Sequence, residues 1–273
     1  MDVRRSRFEC PSLNSEIKID LYADTHFGSE SVAEGLLKKH IEETRENGHY
    51  WMHLGDAIDG IVPSDRRFSR KNLSDWAWAA VRDNKLIEAE WARFEELFSP
   101  IADKCLYVLD GDGKHNICND VSDCMATTLQ KMGIPFGAVQ LYYEFMCNRT
   151  KTAVKKVPIV FHHGFFAGRT VSNKVINLER HLQFYPQTWG FFCGHGHHKT
   201  STRLDCLVVN CGGHIEEWVR RAAMTGSYLR TYAEGTTGYG EVRGYRPAAL
   251  GRVTLVIRPF HTIPEKRIEL ENT

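Results

Sequence analysis

Asp24 and His26 stand one residue apart, and so do His195 and His197. Side chains at i and i+2 of an extended chain share one face, so each pair can present two ligands to one point. Between the pairs lie Gly55-Asp56-Ala57-Ile58-Asp59, Gly111-Asp112-Gly113-Lys114-His115-Asn116 and His162-His163-Gly164. Each segment alone is a weak signal, because a D-x-H or a G-D arises often by chance. As an ordered set they offer hard carboxylate oxygens and borderline imidazole nitrogens. A pair of divalent metals about 3.5–4 Å apart needs that mixture. One carboxylate of such a centre bridges both ions and offsets their repulsion. Glycines beside the ligands let the backbone turn sharply and leave room for substrate.

The elements that must position these residues follow from apolar periodicity. Strands are expected over 17–22, 50–54, 105–109, 140–147, 154–161 and 190–193, each running into one of the segments above or pairing with one that does. The 140–147 and 154–161 runs read as a hairpin around Asn148-Arg149. Helical spacing is expected over 31–46, 121–131 and 172–184, and over 74–98 as one long amphipathic stretch with Ser74 as N-cap. In that stretch Trp78 falls off the apolar stripe, as a partly covered surface residue. The last third reads mainly as strands, including 207–210 and 252–260. Strands alternating with helices, then hairpins, predict a layered α/β architecture with two packed sheets. Its ligand site would gather at strand C-terminal ends. No repeat, low-complexity stretch or long linker interrupts the chain, so 1–273 is expected to form a single domain.

The order of motifs resembles that of the calcineurin-like metallophosphoesterases: D-x-H, G-D-x-x-D, G-N-H-D/E, a His before Gly, then G-H-x-H. The resemblance covers residues 24–197. It implies a four-layer αββα sandwich, two mixed β-sheets flanked by helices. It also implies two divalent metal ions, with Mn²⁺ expected and Fe, Zn or Mg as alternatives. Asp24, His26 and His197 would hold one metal, Asp56 would bridge, and His163 and His195 would hold the second. Asp59 would orient a ligand His or a backbone group. The family ligand stands directly before Gly, which favours His163, with His162 the rival on the opposite face of the strand. The implied reaction is attack on phosphorus by a bridging water acidified to hydroxide.

The third motif departs from the family pattern. In one alignment Asp112 takes the place of the usual Asn ligand, and Gly113-Lys114 is inserted before His115. In the other Lys114 stands where a ligand belongs, and an ammonium is a poor metal partner, so the first is preferred. Either way His115 matches the catalytic His that stabilises or protonates the leaving group, and Asn116 is a fallback ligand. Arg66, Arg67 and Arg70 in the loop after the second motif, and Arg169 after the fourth, are candidate phosphate contacts. As a basic run, 66–71 suits a polynucleotide backbone as well as it suits a solvated loop. The stretches 164–180 and 239–247 look like those of uncharacterised phage and prophage members. That points to phosphodiesters, and to a DNA nuclease working in a host cytoplasm. The competing expectations are a phosphomonoesterase and a catalytically weakened scaffold that keeps the fold.

Composition narrows the field without deciding it. A formal net charge of +1 over 273 residues gives no global field toward nucleic acid or membrane. No apolar run approaches a membrane span, and the N-terminal basic residues have no apolar segment behind them. The eight cysteines contain no C-x-x-C pair, which argues against a zinc ribbon or a redox motif. They read instead as reduced, buried thiols of an intracellular protein.

Overall fold

The structure, a computed structural model, describes residues 1–111, 123–165, 170–209, 212–232, 241, 244–247 and 249–272. Strands β1 (Asp2–Glu9) and β2 (Ile17–Tyr22) precede helix α1 (Glu34–Asn47) and strand β3 (Tyr50–His53). Helices α2 (Asp75–Arg82) and α3 (Leu86–Phe98) lead to β4 (Cys105–Leu109), α4 (Cys124–Lys131) and the short β5 (Phe136–Gly137). The hairpin β6 (Gln140–Asn148) and β7 (Val154–His162) precedes α5 (Val171–Phe184) and β8 (Gly190–Cys193). Strands β9 (Thr200–Val209), β10 (Ile215–Met224), β11 (Val253–Ile257) and β12 (Ile268–Asn272) complete the order.

The strands form two six-stranded sheets, β1-β6-β7-β8-β10-β9 and β12-β11-β2-β3-β4-β5. Both are mixed. In the first, β7, β8 and β10 run parallel while β6–β7 and β9–β10 are antiparallel. In the second, β2 through β5 are parallel and β11 and β12 add antiparallel edges.

Inner faces of both sheets share one core. Ile19, Leu21, Met52 and Leu109 from the second sheet meet Leu141, Phe145, Ile159, Phe161 and Phe192 from the first. On the outer face of the second sheet, Trp51 and Val108 pack under Leu37 of α1, Trp91, Phe94 and Phe98 of α3, and Leu129 of α4. On the outer face of the first, Val160, Phe191 and Met224 pack under Leu178 and Leu182 of α5. The layers are therefore helix, sheet, sheet, helix, the sandwich that the resemblance implied. No helix among the described residues is long and apolar enough to cross a membrane.

The expected helix over 74–98 is a correction: it is two helices. Ser74 caps the first, its Oγ accepting from Ala77 N at 3.4 Å. The break comes at Asp83-Asn84-Lys85, where Asn84 takes a left-handed conformation (φ 55°). Its N–H donates to Val81 O at 3.1 Å, and Lys85 N–H donates to Ala80 O at 2.9 Å, closing α2. Asp and Asn favour such turns because they bond locally and tolerate positive φ. Of the expected apolar stripe, Trp91, Phe94 and Phe98 of α3 are buried, whereas Trp76 and Ala80 of α2 and Ile87 are only partly covered. Trp78 lies half-buried beneath the Arg70 guanidinium, 5.2 Å from its ring centroid. The 207–210 strand is longer than expected, and β1, rich in exposed arginine, went unpredicted although it pairs along its whole length with β6.

Candidate metal centre

Four strand ends converge, two from each sheet. Asp24 and His26 follow β2, Asp56 and Asp59 follow β3, His163 follows β7, and His195 and His197 follow β8. Beyond β2 and β3 the chain stays paired: Asp24 N–H donates to Gly55 O (3.0 Å), His26 N–H to Asp56 O (3.2 Å) and Phe27 N–H to Ala57 O (3.0 Å). Gly194 N–H donates to His163 O at 2.8 Å, which ties the β7 and β8 ends together. Across the sheets, His195 N–H donates to Asp24 Oδ2 at 2.9 Å.

These contacts assemble two trios, Asp24/His26/His197 and Asp56/His163/His195, in each of which one donor atom per residue lies within 4.8 Å of the others. Each trio draws on both sheets. In the first, His26 Nε2 lies 3.4 Å from His197 Nε2, and Asp24 Oδ1 lies 3.4 Å from that same nitrogen. In the second, His163 Nε2 lies 3.1 Å from His195 Nδ1 and 3.3 Å from Asp56 Oδ2.

Three observations test whether this donor set fits a metal. Ligands at ordinary metal–nitrogen distances around one ion stand roughly 3 Å apart, the spacing seen here. His163 Nδ1 faces Leu54 O at 2.8 Å. Leu54 O can only accept, so Nδ1 keeps its proton, and Nε2, on the side of Asp56 and His195, is the nitrogen that can release a proton to a cation. Asp24 Oδ1 is buried and accepts no hydrogen bond, which is costly for a carboxylate oxygen unless a cation faces it. The residues fit a pair of divalent ions.

Backbone strain concentrates here. Among the described residues six non-glycine positions have positive φ, and five of them are Asp24 (51°), His26 (45°), Asp56 (53°), His195 (63°) and His197 (53°). Such conformations cost about 1–3 kcal/mol each and persist where the surroundings over-determine them. Gly55 (φ 100°) admits no other residue, since a Cβ there would lie 2.4 Å from His163 Nδ1.

The electrostatics call for positive charge. Burial pulls the His163 imidazole down, but Asp56 beside it more than compensates and pushes it up to about 9. Burial likewise opposes the rise at His26, where Asp59 and then Asp56 prevail. Burial pushes the Asp24 carboxyl up, yet the neighbouring His197 holds it below its ordinary value. Asp56 thus acts on a histidine of each trio, as a carboxylate between two ions would. A divalent cation answers the same field.

Asp59 Oδ1 lies 3.6 Å from His26 Nδ1, on the side away from the trio. His162 turns the other way. Its Nδ1 accepts from Gly164 N at 2.7 Å, and its ring packs against Phe165 and Phe191 toward α5. Of the rival pair, His163 joins the cluster and His162 does not. Arg67 is bonded to Asp65 and Arg70 to Asp75, at 2.7 and 2.6 Å, while Arg66 is exposed. Asp112, His115, Asn116 and Arg169 lie outside the described residues. His197 keeps 30% of its side chain open to solvent beside the fully buried Asp24, so the centre can be reached from outside. Sequence reasoning missed the residues behind the ligands, notably Thr25, His53 and Lys174. No spacing marks them: His53 is simply a His inside the apolar run that precedes Gly55-Asp56.

No protein-family model matches the chain, and no curated protein matches it. The solved structures similar to this chain include two at 10% identity. One is a predicted phosphoesterase from Streptococcus pneumoniae TIGR4, covering 94% of this chain and 98% of that one with a TM-score of 0.37. The other is the calcineurin-like phosphoesterase YfkN from Bacillus subtilis, covering 88% and 84% with a TM-score of 0.38.

Proposed function

We propose that the chain is a calcineurin-like metallophosphoesterase, a hydrolase of phosphate esters built on two divalent ions. Asp24, His26 and His197 would hold one ion, His163 and His195 the other, with Asp56 between them. The observation that carries this reading is the pair of carboxylate–imidazole trios, assembled from four strand ends whose ligands sit in strained left-handed conformations. Two ions there would supply Lewis acidity toward phosphoryl oxygens and a water acidified to near neutrality. The chain's own residues do the rest. Leu54 O fixes the proton of His163 on Nδ1. Asp59, its Oδ1 3.6 Å from His26 Nδ1, would steady that imidazole electrostatically from behind. The Asp24 carboxylate, held to His195 N–H, joins the two trios across the sheets.

His115 is the proposed leaving-group residue and Asp112 the proposed extra ligand of the second ion, both from the sequence motif. For substrate we favour phosphodiesters, including polynucleotides, and for metal Mn²⁺. The diester preference rests on the basic 64–71 loop and on the likeness to phage members. With Arg67 and Arg70 engaged by Asp65 and Asp75, Arg66 is its leading contact. The test is a screen of Mn²⁺-loaded protein against a model diester, a model monoester, and single- and double-stranded DNA. Diester turnover with DNA cleavage is expected. Monoester turnover alone would replace the substrate class, and no turnover of any ester with any divalent metal would remove the enzyme reading.

A further inference from the structure

The middle residue of each ligand pair is held from behind by a buried side chain that the proposed chemistry leaves unused. Thr25 lies between Asp24 and His26, and Gly196 between His195 and His197, all four flanking residues in the left-handed region.

Behind Thr25 stands His53, fully buried at the end of β3. Gly55 N–H donates to His53 Nδ1 at 3.3 Å, so the ring proton sits on Nε2. That proton faces Thr25 Oγ1 at 3.1 Å, and the Thr25 hydroxyl in turn donates to Ala57 O at 2.7 Å. Every donor in this chain has one acceptor, which fixes both the tautomer and the hydroxyl rotor. Phe94 and Phe98 of α3 meet the His53 ring edge-on, at centroid distances of 5.7 and 6.1 Å. A path of contact therefore runs from α3 through His53 and Thr25 to the first ligand pair.

Behind Gly196 stands Lys174, in the first turns of α5 and 4% exposed. Its Nζ donates to Gly196 O. Gly196 has no side chain to hold, and a Cβ there would lie 2.0 Å from Met224 Sδ, so a larger residue would first have to displace the buried Met224. The anchor has to act through the carbonyl. An ammonium buried this deeply is retained against a desolvation cost, and the Gly196 carbonyl is what it holds.

We propose that His53 and Lys174 are positioning residues that hold the two ligand loops in their strained, ligand-presenting conformations, His53 through the Thr25 hydroxyl and Lys174 through the Gly196 carbonyl. The consequence for metal binding rests on the dinuclear reading above; the anchoring itself does not.

The test separates the two. Thr25→Val keeps the side-chain shape and removes the hydroxyl, Thr25→Ser keeps the hydroxyl, and Lys174→Met keeps most of the stem and removes the ammonium. Amide hydrogen exchange on metal-stripped full-length protein reads the loops directly. The amides of Asp24, His26 and Phe27 bond to the neighbouring loop, and that of His195 bonds to Asp24. Thr25→Val is expected to speed exchange at 24–27 by about tenfold and to weaken Mn²⁺ binding by calorimetry by about tenfold. Thr25→Ser should stay within about twofold of the parent on both measures. Lys174→Met should speed exchange at 195–197 and leave the β6 and β7 amides as they were. Unchanged exchange in both loops would overturn the proposal, and so would acceleration spread evenly over the core strands, which marks a merely structural role. If the parent binds no Mn²⁺ while the loops respond as stated, the proposed function falls and the anchoring stands.

Discussion

At the scale of single residues, the candidate metal centre depends on which nitrogen or oxygen each side chain has left to offer. His163 spends Nδ1–H on Leu54 O and keeps Nε2 for the cluster, whereas His162 spends Nδ1 on Gly164 N–H and points toward α5. His163→Ala is therefore predicted to lower Mn²⁺ content from two to about one equivalent per chain. His162→Ala should keep both, measured by elemental analysis after dialysis. Loss of metal from His162→Ala would reverse that assignment. Asp56→Asn removes the charge that acts on both trios and is predicted to cut ester turnover by at least about 10³-fold with the fold intact. Near-normal turnover would refute the bridging role. Most of this residue set was legible in the sequence only as an ordered series of D-x-H, G-D-x-x-D, His-before-Gly and G-H-x-H segments, each weak alone, which the structure brings together into two trios. The choice between His162 and His163 was legible only as a preference, since both fit the strand and only the side-chain environment separates them. Thr25, His53 and Lys174 were not legible, because a buried Thr, His or Lys has no spacing rule that distinguishes an anchor from an ordinary core residue.

At the scale of elements, the strand ends carry the site, and most strands were readable from apolar runs such as Phe191-Phe192-Cys193 and Leu106-Tyr107-Val108. What periodicity could not supply was the break in the 74–98 stretch. In the sequence the apolar spacing of Trp76, Ala80, Ile87, Trp91, Phe94 and Phe98 runs through the break, and only Asp83-Asn84 signals the turn. Asn84 at φ 55° is tolerated there, whereas a β-branched residue is not. Asn84→Val is predicted to lower stability by about 1–2 kcal/mol, and Asn84→Gly to leave it unchanged or raise it slightly. Chemical denaturation checks both. Equal midpoints for the Val and Gly variants would mean that the turn is not held in this conformation. Strand β1 escaped notice for a different reason. Arg4, Arg5 and Arg7 are exposed, so its pattern resembles a charged tail, and its place is set by pairing with β6 and by one core side chain, Phe8.

At the scale of the molecule, two sheets meet so that neither metal trio can form from one sheet alone. Stability and site electrostatics are coupled through the buried histidines. Burial holds His40 neutral, pulled down to about 4, and holds His53 neutral, pulled down to about 3, against an ordinary value of 6.5. Unfolding lets them take up protons below pH 6.5, so stability is lost as pH falls from about 6.5 toward 4. His163 runs the opposite way. Burial lowers it, but Asp56 raises it to about 9, so its contribution is whole below pH 6.5 and is lost as pH rises toward 9. Metal-stripped protein is predicted to unfold at its highest temperature near pH 6.5. Metal loading, which displaces the His163 proton, should remove the alkaline loss. A midpoint that rises steadily from pH 5 to 9 in stripped protein would contradict this coupling. Whether two ions are shared between the two sheets is decided by an anomalous difference map from crystals grown with Mn²⁺. The predicted result is two peaks about 3.5–4 Å apart, one within reach of Asp24, His26 and His197 and the other within reach of His163 and His195, with Asp56 between. A map with no peak, or with a single peak away from these residues, would contradict it.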